Sequence, residues 1–268
     1  MKKKIQEFMI KSPIGSFCLF GLPFGLIILL LYWFLEAPFW LGCILALLFM
    51  FCIYTFIDLA PTLYLQESAK LNDQQCDPYP LLEETEKLLS LKLKPNAHFS
   101  VSLNHATALI NTGDTQKAEE IFSALDISIY QNPLLQFNYF TLSAEIAISR
   151  KREDHAAFCI DRMAQIACRL KPANIQKMSA DSLLFIKAGM ALLQKDPNAA
   201  LKLLHKIQPT LPIHLVNHSL LLGQAYMAHK NWELAEMWLR QTIQTGNRLY
   251  AVDEARSLLA KIEVEKAK

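Results

Sequence analysis

His214 and His218 stand four residues apart, and His155 stands four before Cys159. On a helix that spacing puts both side chains on one face, where two donors can begin a zinc site. Neither pair has a recognisable third ligand nearby, so both read as surface or half-buried histidines near a helix start, and no metal is expected. The acid pairs Glu83/Glu84 and Glu119/Glu120 fall on charged helix faces and read as solvation. No phosphate-loop, dinucleotide-binding, zinc-protease or nucleophile-elbow motif occurs, and eight glycines leave little scope for a phosphate cradle. The sequence thus offers no catalytic residue and calls for no cofactor. An enzyme tied to a membrane is a remote alternative.

Charge and cysteine content narrow the class further. Lys and Arg number 27 against 25 Asp and Glu, a net +2 without a basic patch, which excludes an electrostatic nucleic-acid binder. The six cysteines form no C-x-x-C and no framework spacing, so they read as reduced, small, mostly buried hydrophobes.

The elements come from periodicity and punctuation. Beyond residue 80 every segment has helical period and none alternates with period two, which predicts an all-α domain over 81–268. Stop and start signals at Asn111-Thr112-Gly113-Asp114, Lys151 to Asp154, Asp196-Pro197 and Lys230-Asn231 cut it into paired helices. The expected pairs are about 97–111 with 115–126, 133–150 with 154–170, 174–193 with 197–207, and 213–229 with 232–245. A polar helix over 249–266 closes the series as a solvating cap.

Across each of those turns stand two small residues twelve apart: Ala106/Ala118, Ala144/Ala156, Ala188/Ala200 and Gly223/Ala235. Small residues at that spacing let two antiparallel helices bring their backbones close. Leu222-Gly223 with Tyr226, Ala235 and Leu239, and Ala106 with Leu109, Ala118 and Phe122, resemble the tetratricopeptide repeat family. Ala188, Ala191, Ala200 and Leu204, and Ala144, Ala147, Ala156 and Ile160, follow the same pattern. The repeats are degenerate: successive small positions lie 38, 44 and 35 residues apart, and the family's signature Trp is missing.

The resemblance implies an α-solenoid of about four helical hairpins whose first helices line a groove for a protein or peptide. The groove residues it implies are Asn104, Thr107, Asn111, Asn138, Thr141, Glu145, Phe185, Asn217 and Gln224. Some family members clamp a terminal carboxylate with basic residues at these places, and here those are missing. Trp232 and Trp238 read as packing.

The amino-terminal part reads differently. Ile14 to Leu35 is uncharged over 22 positions, enough at about 1.5 Å per residue to cross a hydrocarbon core of roughly 30 Å. After Glu36-Ala37-Pro38 a second uncharged run, Phe39 to Ile57, returns. Residues 14–60 are therefore expected to form a two-helix transmembrane hairpin, followed by a linker over 61–80. Lys2, Lys3, Lys4 and Lys11 place residues 1–13 in the cytoplasm by the positive-inside rule, and the helical domain with them. The expectation is an integral protein of a bacterial cell membrane: a membrane-anchored scaffold or adaptor. The alternative is a non-catalytic subunit of a multi-spanning complex, held mainly through its hairpin.

Overall fold

The computed structural model describes residues 39–267, together with 5, 8, 10–12, 23–26 and 30. The described residues are all-α, without a strand. They divide into two compact units, one of residues 1–67 and 85–101 and one of 68–84 and 102–268.

Helix α1 (Phe39–Gln75) runs through the second uncharged segment and on through most of the stretch expected as a linker. Among the described residues no helix is long and apolar enough to cross a membrane. The hairpin expected over 14–60 therefore has no support in the fold, and most of its first span lies outside the described residues. What the first unit does show on α1 is a run of large apolar side chains facing outwards: Trp40, Leu47, Leu48 and Phe51 are each more than half exposed.

The remaining helices are α2 (Tyr79–Leu89), α3 (Pro95–Thr112), α4 (Thr115–Ser123), α5 (Pro133–Ser149), α6 (Glu153–Ala167), α7 (Ala173–Leu193), α8 (Pro197–Leu204), α9 (Pro212–Ala228), α10 (Trp232–Thr245) and α11 (Tyr250–Lys266). Three helices stop earlier than the periodicity suggests: α4 at Ser123 before a single 3-10 turn, Ile127–Ile129, α6 at Ala167 and α8 at Leu204. Within the second unit α5 packs on α6, α7 on α8 and α9 on α10, and each hairpin stacks on the next.

One turn geometry makes the hairpins after α3, α5, α7 and α9. Seven residues past the small position of the first helix, Gly113, Lys151, Lys195 and Lys230 occupy the left-handed region at φ of 91°, 57°, 60° and 58°. The next residue's N–H reaches back to a carbonyl of the helix: Asp114 to Leu109, Arg152 to Ala147 and Asp196 to Ala191, each at 2.8 Å, and Asn231 to Tyr226 at 2.9 Å. The left-handed residue's own N–H bonds Ile110, Ile148, Leu192 and Met227 in the same order. This pair of bonds is the Schellman motif, which satisfies carbonyls that a helix end leaves orphaned. The residue that closes it also starts the second helix: Asp114, Asp196 and Asn231 accept from Lys117, Ala199 and Leu234 N–H groups. Arg152 cannot cap, and its guanidinium instead binds Glu119 at 2.8 Å, beside Arg150 at 3.2 Å. Four identical turns thus fix the twelve-residue interval between small positions.

Close packing follows from that interval. Ala106, Ala118, Ala144, Ala156, Ala188, Ala200 and Ala235 are all fully buried. At Gly223 an added Cβ would lie 2.6 Å from Leu239 Cδ2 and 3.5 Å from the Ala235 carbonyl oxygen, so no larger residue fits without movement. The unequal repeat lengths arise outside the turns. α7 begins fifteen residues before its small position, whereas α5 and α9 begin eleven before theirs, an extra helical turn.

Residues 68–84 belong to the helical-hairpin unit. Ser68 and Asn72 are buried, and Cys76 joins the apolar cluster of Ile213, Val216, Leu249 and Ala255. Asn72 Oδ1 accepts from Asn111 Nδ2 at 3.0 Å, and the Gln75 carbonyl accepts from Asn247 Nδ2 at 2.8 Å. Arg248 bonds Asp77 at 3.2 Å while its guanidinium covers the Tyr79 ring at 4.0 Å. The end of α1 is therefore pinned between α3 and the loop that leads into α11.

Candidate functional site

The first helices of the second, third and fourth hairpins, α5, α7 and α9, together with residues 207–210, line a cavity of about 160 Å³. Thr141 and Glu145 come from α5, Met178, Asp181, Ser182, Phe185 and Ile186 from α7, and His214, Asn217 and His218 from α9. Each set recurs at intervals of three or four residues, with neighbours 181/182, 185/186 and 217/218 widening the stripe, as one face of a helix repeats.

Four of the nine groove residues implied by the family resemblance meet here: Thr141, Glu145, Phe185 and Asn217. The others lie elsewhere. Asn111 is committed to Asn72, and Gln224 donates to Glu254 Oε1 at 2.8 Å. Thr107 donates to the Leu103 carbonyl at 2.9 Å within its own helix. Asn104 is half-buried, and Asn138 is exposed outside the cavity. The inner face is therefore split, with the end of α1 against α3 and open space against α5, α7 and α9.

The cavity presents several hydrogen-bond acceptors beside the amide side chains of Gln208 and Asn217. Thr141 and Ser182 donate their hydroxyl protons to the carbonyls of Phe137 and Met178, each at 2.9 Å, which leaves their oxygens facing outwards as acceptors. His218 is 8% exposed; its Nε2–H donates to the Leu204 carbonyl at 3.0 Å, capping the end of α8, and its Nδ1 is buried without a partner. Glu145 and Asp181 make no hydrogen bond or ion pair among the described residues, and no lysine or arginine lines the cavity.

The electrostatics follow from enclosure. Glu145 keeps some surface, but protein rings it, and the loss of surrounding water pushes its carboxyl up to about 7. The same desolvation holds the His214 imidazole below its usual range, against the opposing pull of the Asp73 and Asp181 carboxylates. Asp73, at the end of α1, is raised chiefly by burial.

Of the two metal-like pairs, His214 and His218 both line the cavity. His155 Nε2 lies 3.0 Å from Ser143 Oγ and 3.8 Å from Cys159 Sγ in a local hydrogen-bonding triangle. Among the described residues no group of three His, Cys, Asp or Glu side chains is placed to hold a metal ion.

Sequence reasoning missed Met178, Asp181, Ile186, His214, His218 and the 207–210 segment as lining. Asp181 and Met178 precede Phe185 by four and seven residues on α7, a heptad signal that the extra turn of that helix obscures. The fold defines an all-α chain of stacked helical hairpins with a cavity on its first-helix layer. Comparison with protein-family models, curated proteins and solved structures finds no match.

Proposed function

We propose that this chain is a non-enzymatic interaction scaffold, a divergent tetratricopeptide-like array that binds a peptide segment of a partner along its first-helix layer. The observation that carries the reading is the cavity shared by α5, α7 and α9, which lies on the layer where such an array presents its ligand groove. The fourfold Schellman turn supports the array itself, because it imposes on each hairpin the register that the small residues need.

The scaffold is anchored at a membrane through residues 14–60. Supporting this are the two uncharged runs, the lysines before them, and the outward-facing Trp40, Leu47, Leu48 and Phe51, an apolar surface that monomers in water rarely leave uncovered. Tethering would raise the effective concentration of the groove for membrane-bound partners. Those same side chains favour a second reading, in which α1 packs against helices of a larger membrane complex and makes the main contact.

A photoreactive residue placed in separate variants at Phe185, in the cavity, at Phe158, exposed on α6, and at Phe51, exposed on α1, distinguishes the readings in intact membranes. The scaffold reading expects a partner adduct from position 185 alone. Adducts at position 51 with none at 185 would favour the complex-subunit reading. Release of the full chain by alkaline carbonate would remove the membrane anchor from the proposal.

A further inference from the structure

We infer that the cavity between α5, α7 and α9 is a specificity pocket for one cationic side chain, arginine or lysine, of a peptide partner. The inference rests on the groove reading above and adds the chemistry of what enters the groove. Two carboxylates without a hydrogen bond or salt bridge among the described residues, Glu145 and Asp181, reach the cavity from different helices, and no lysine or arginine stands among its lining residues; Asp181 acts only on the His214 imidazole, which burial holds below its usual range. The His218 ring supplies an independent sign. It is more than nine-tenths buried, its Nε2–H is held by Leu204, and Nδ1 is left as an unpartnered acceptor. A buried acceptor without a donor is costly, and the Thr141 and Ser182 oxygens stand as acceptors among the lining residues beside His218.

A group that satisfies these acceptors must bring several N–H donors and a positive charge. Guanidinium brings five donors and ammonium three, and neither accepts. The volume of about 160 Å³ matches the size of a cavity that admits one benzene-sized group, so a single side-chain head fits and a folded domain does not. Phe185, Ile186, Met178 and Ile207 then flank the methylene stem, as the long basic side chains require. An anion is disfavoured by the same two carboxylates.

Occupation is linked to pH. The charged and titratable groups lining the cavity with Glu145 are Asp181 from α7 and His214 and His218 from α9; none comes from α4 or α6. Without ligand, desolvation keeps Glu145 largely protonated below neutrality. A cation favours the carboxylate, so binding releases a proton and strengthens as pH rises from 6 to 8.

The test uses the full chain, immobilised, and two pools of capped nine-residue peptides with random flanks. One pool has arginine at its centre, and the other has citrulline, which has the same shape without the charge. The pocket predicts retention of the arginine pool at least about tenfold above the citrulline pool, greater at pH 8 than at pH 6, and the preference is lost in Glu145→Gln and in Asp181→Asn. Thermal melting of both variants checks that they fold, and their positions on separate helices keep the test open if one does not. Equal retention of both pools, lowered in Phe185→Ala, would overturn the cationic pocket while leaving the groove reading in place. Retention of neither pool would overturn both.

Discussion

Glu145 carries the most informative single ionisation in the molecule. Its folded-state value of about 7 lies above its ordinary 4.5, so the native state holds a proton that the unfolded chain has lost between those values. Stability from this group is complete below about pH 4.5, falls as pH rises through 7, and is flat beyond. Chemical denaturation of the full chain at pH 5.5 and 8 should show a loss on the order of 1–3 kcal/mol that Glu145→Gln largely removes. An unchanged pH dependence in the variant would place the carboxyl in ordinary water. Lys195 and Lys230 offer a second residue-scale check. Each occupies left-handed backbone that disfavours a Cβ, so Lys195→Gly and Lys230→Gly should each stabilise by about 0.5–1 kcal/mol. Gly113 shows the same position filled by the residue it favours, and Tyr250 Cδ2 lies 2.5 Å from where its Cβ would stand.

At the scale of the element, the hairpin is the unit that sequence and physics agree on. The small pairs, Gly113 and the capping residues Asp114, Asp196 and Asn231 were all legible, because each answers a local steric or hydrogen-bonding need. The left-handed lysines were not, since lysine carries no preference for that conformation and takes it here only because the Schellman bonds on either side enforce it. The lengths of α4, α6 and α8 were overestimated, because apolar residues continue past the point where the chain leaves the helix. Ala200→Phe should overpack the third hairpin against Ala191 and Ala225 and cost about 1–3 kcal/mol in thermal or chemical melting. Asp196→Ala should cost about 1 kcal/mol by removing the cap on Ala199 N–H, while Arg152→Ala should leave its helix start unaffected and only loosen Glu119.

Over the whole helical-hairpin unit the decisive contacts are the distant ones. Arg248 meets Asp77, and Asn247 meets Gln75, across 171 and 172 residues of chain. No local pattern announces such pairs, which is why 61–80 read as a linker from its Pro, Asn and Asp content. The same long-range placement divided the implied groove, committing Asn111 to Asn72 and leaving Thr141, Glu145, Phe185 and Asn217 around open space. Arg248→Ala should free the 68–84 segment in part, seen as faster amide exchange over 68–75 with the exchange of α5 to α8 unchanged.

Hydrogen exchange of the full chain with and without the retained arginine-centred peptides tests the scaffold claim most directly. Binding on the first-helix layer predicts new protection in α5, α7, α9 and residues 207–210, with α6, α8 and α10 unaltered. Protection confined to the second helices, or to residues 39–60 of α1, would contradict it.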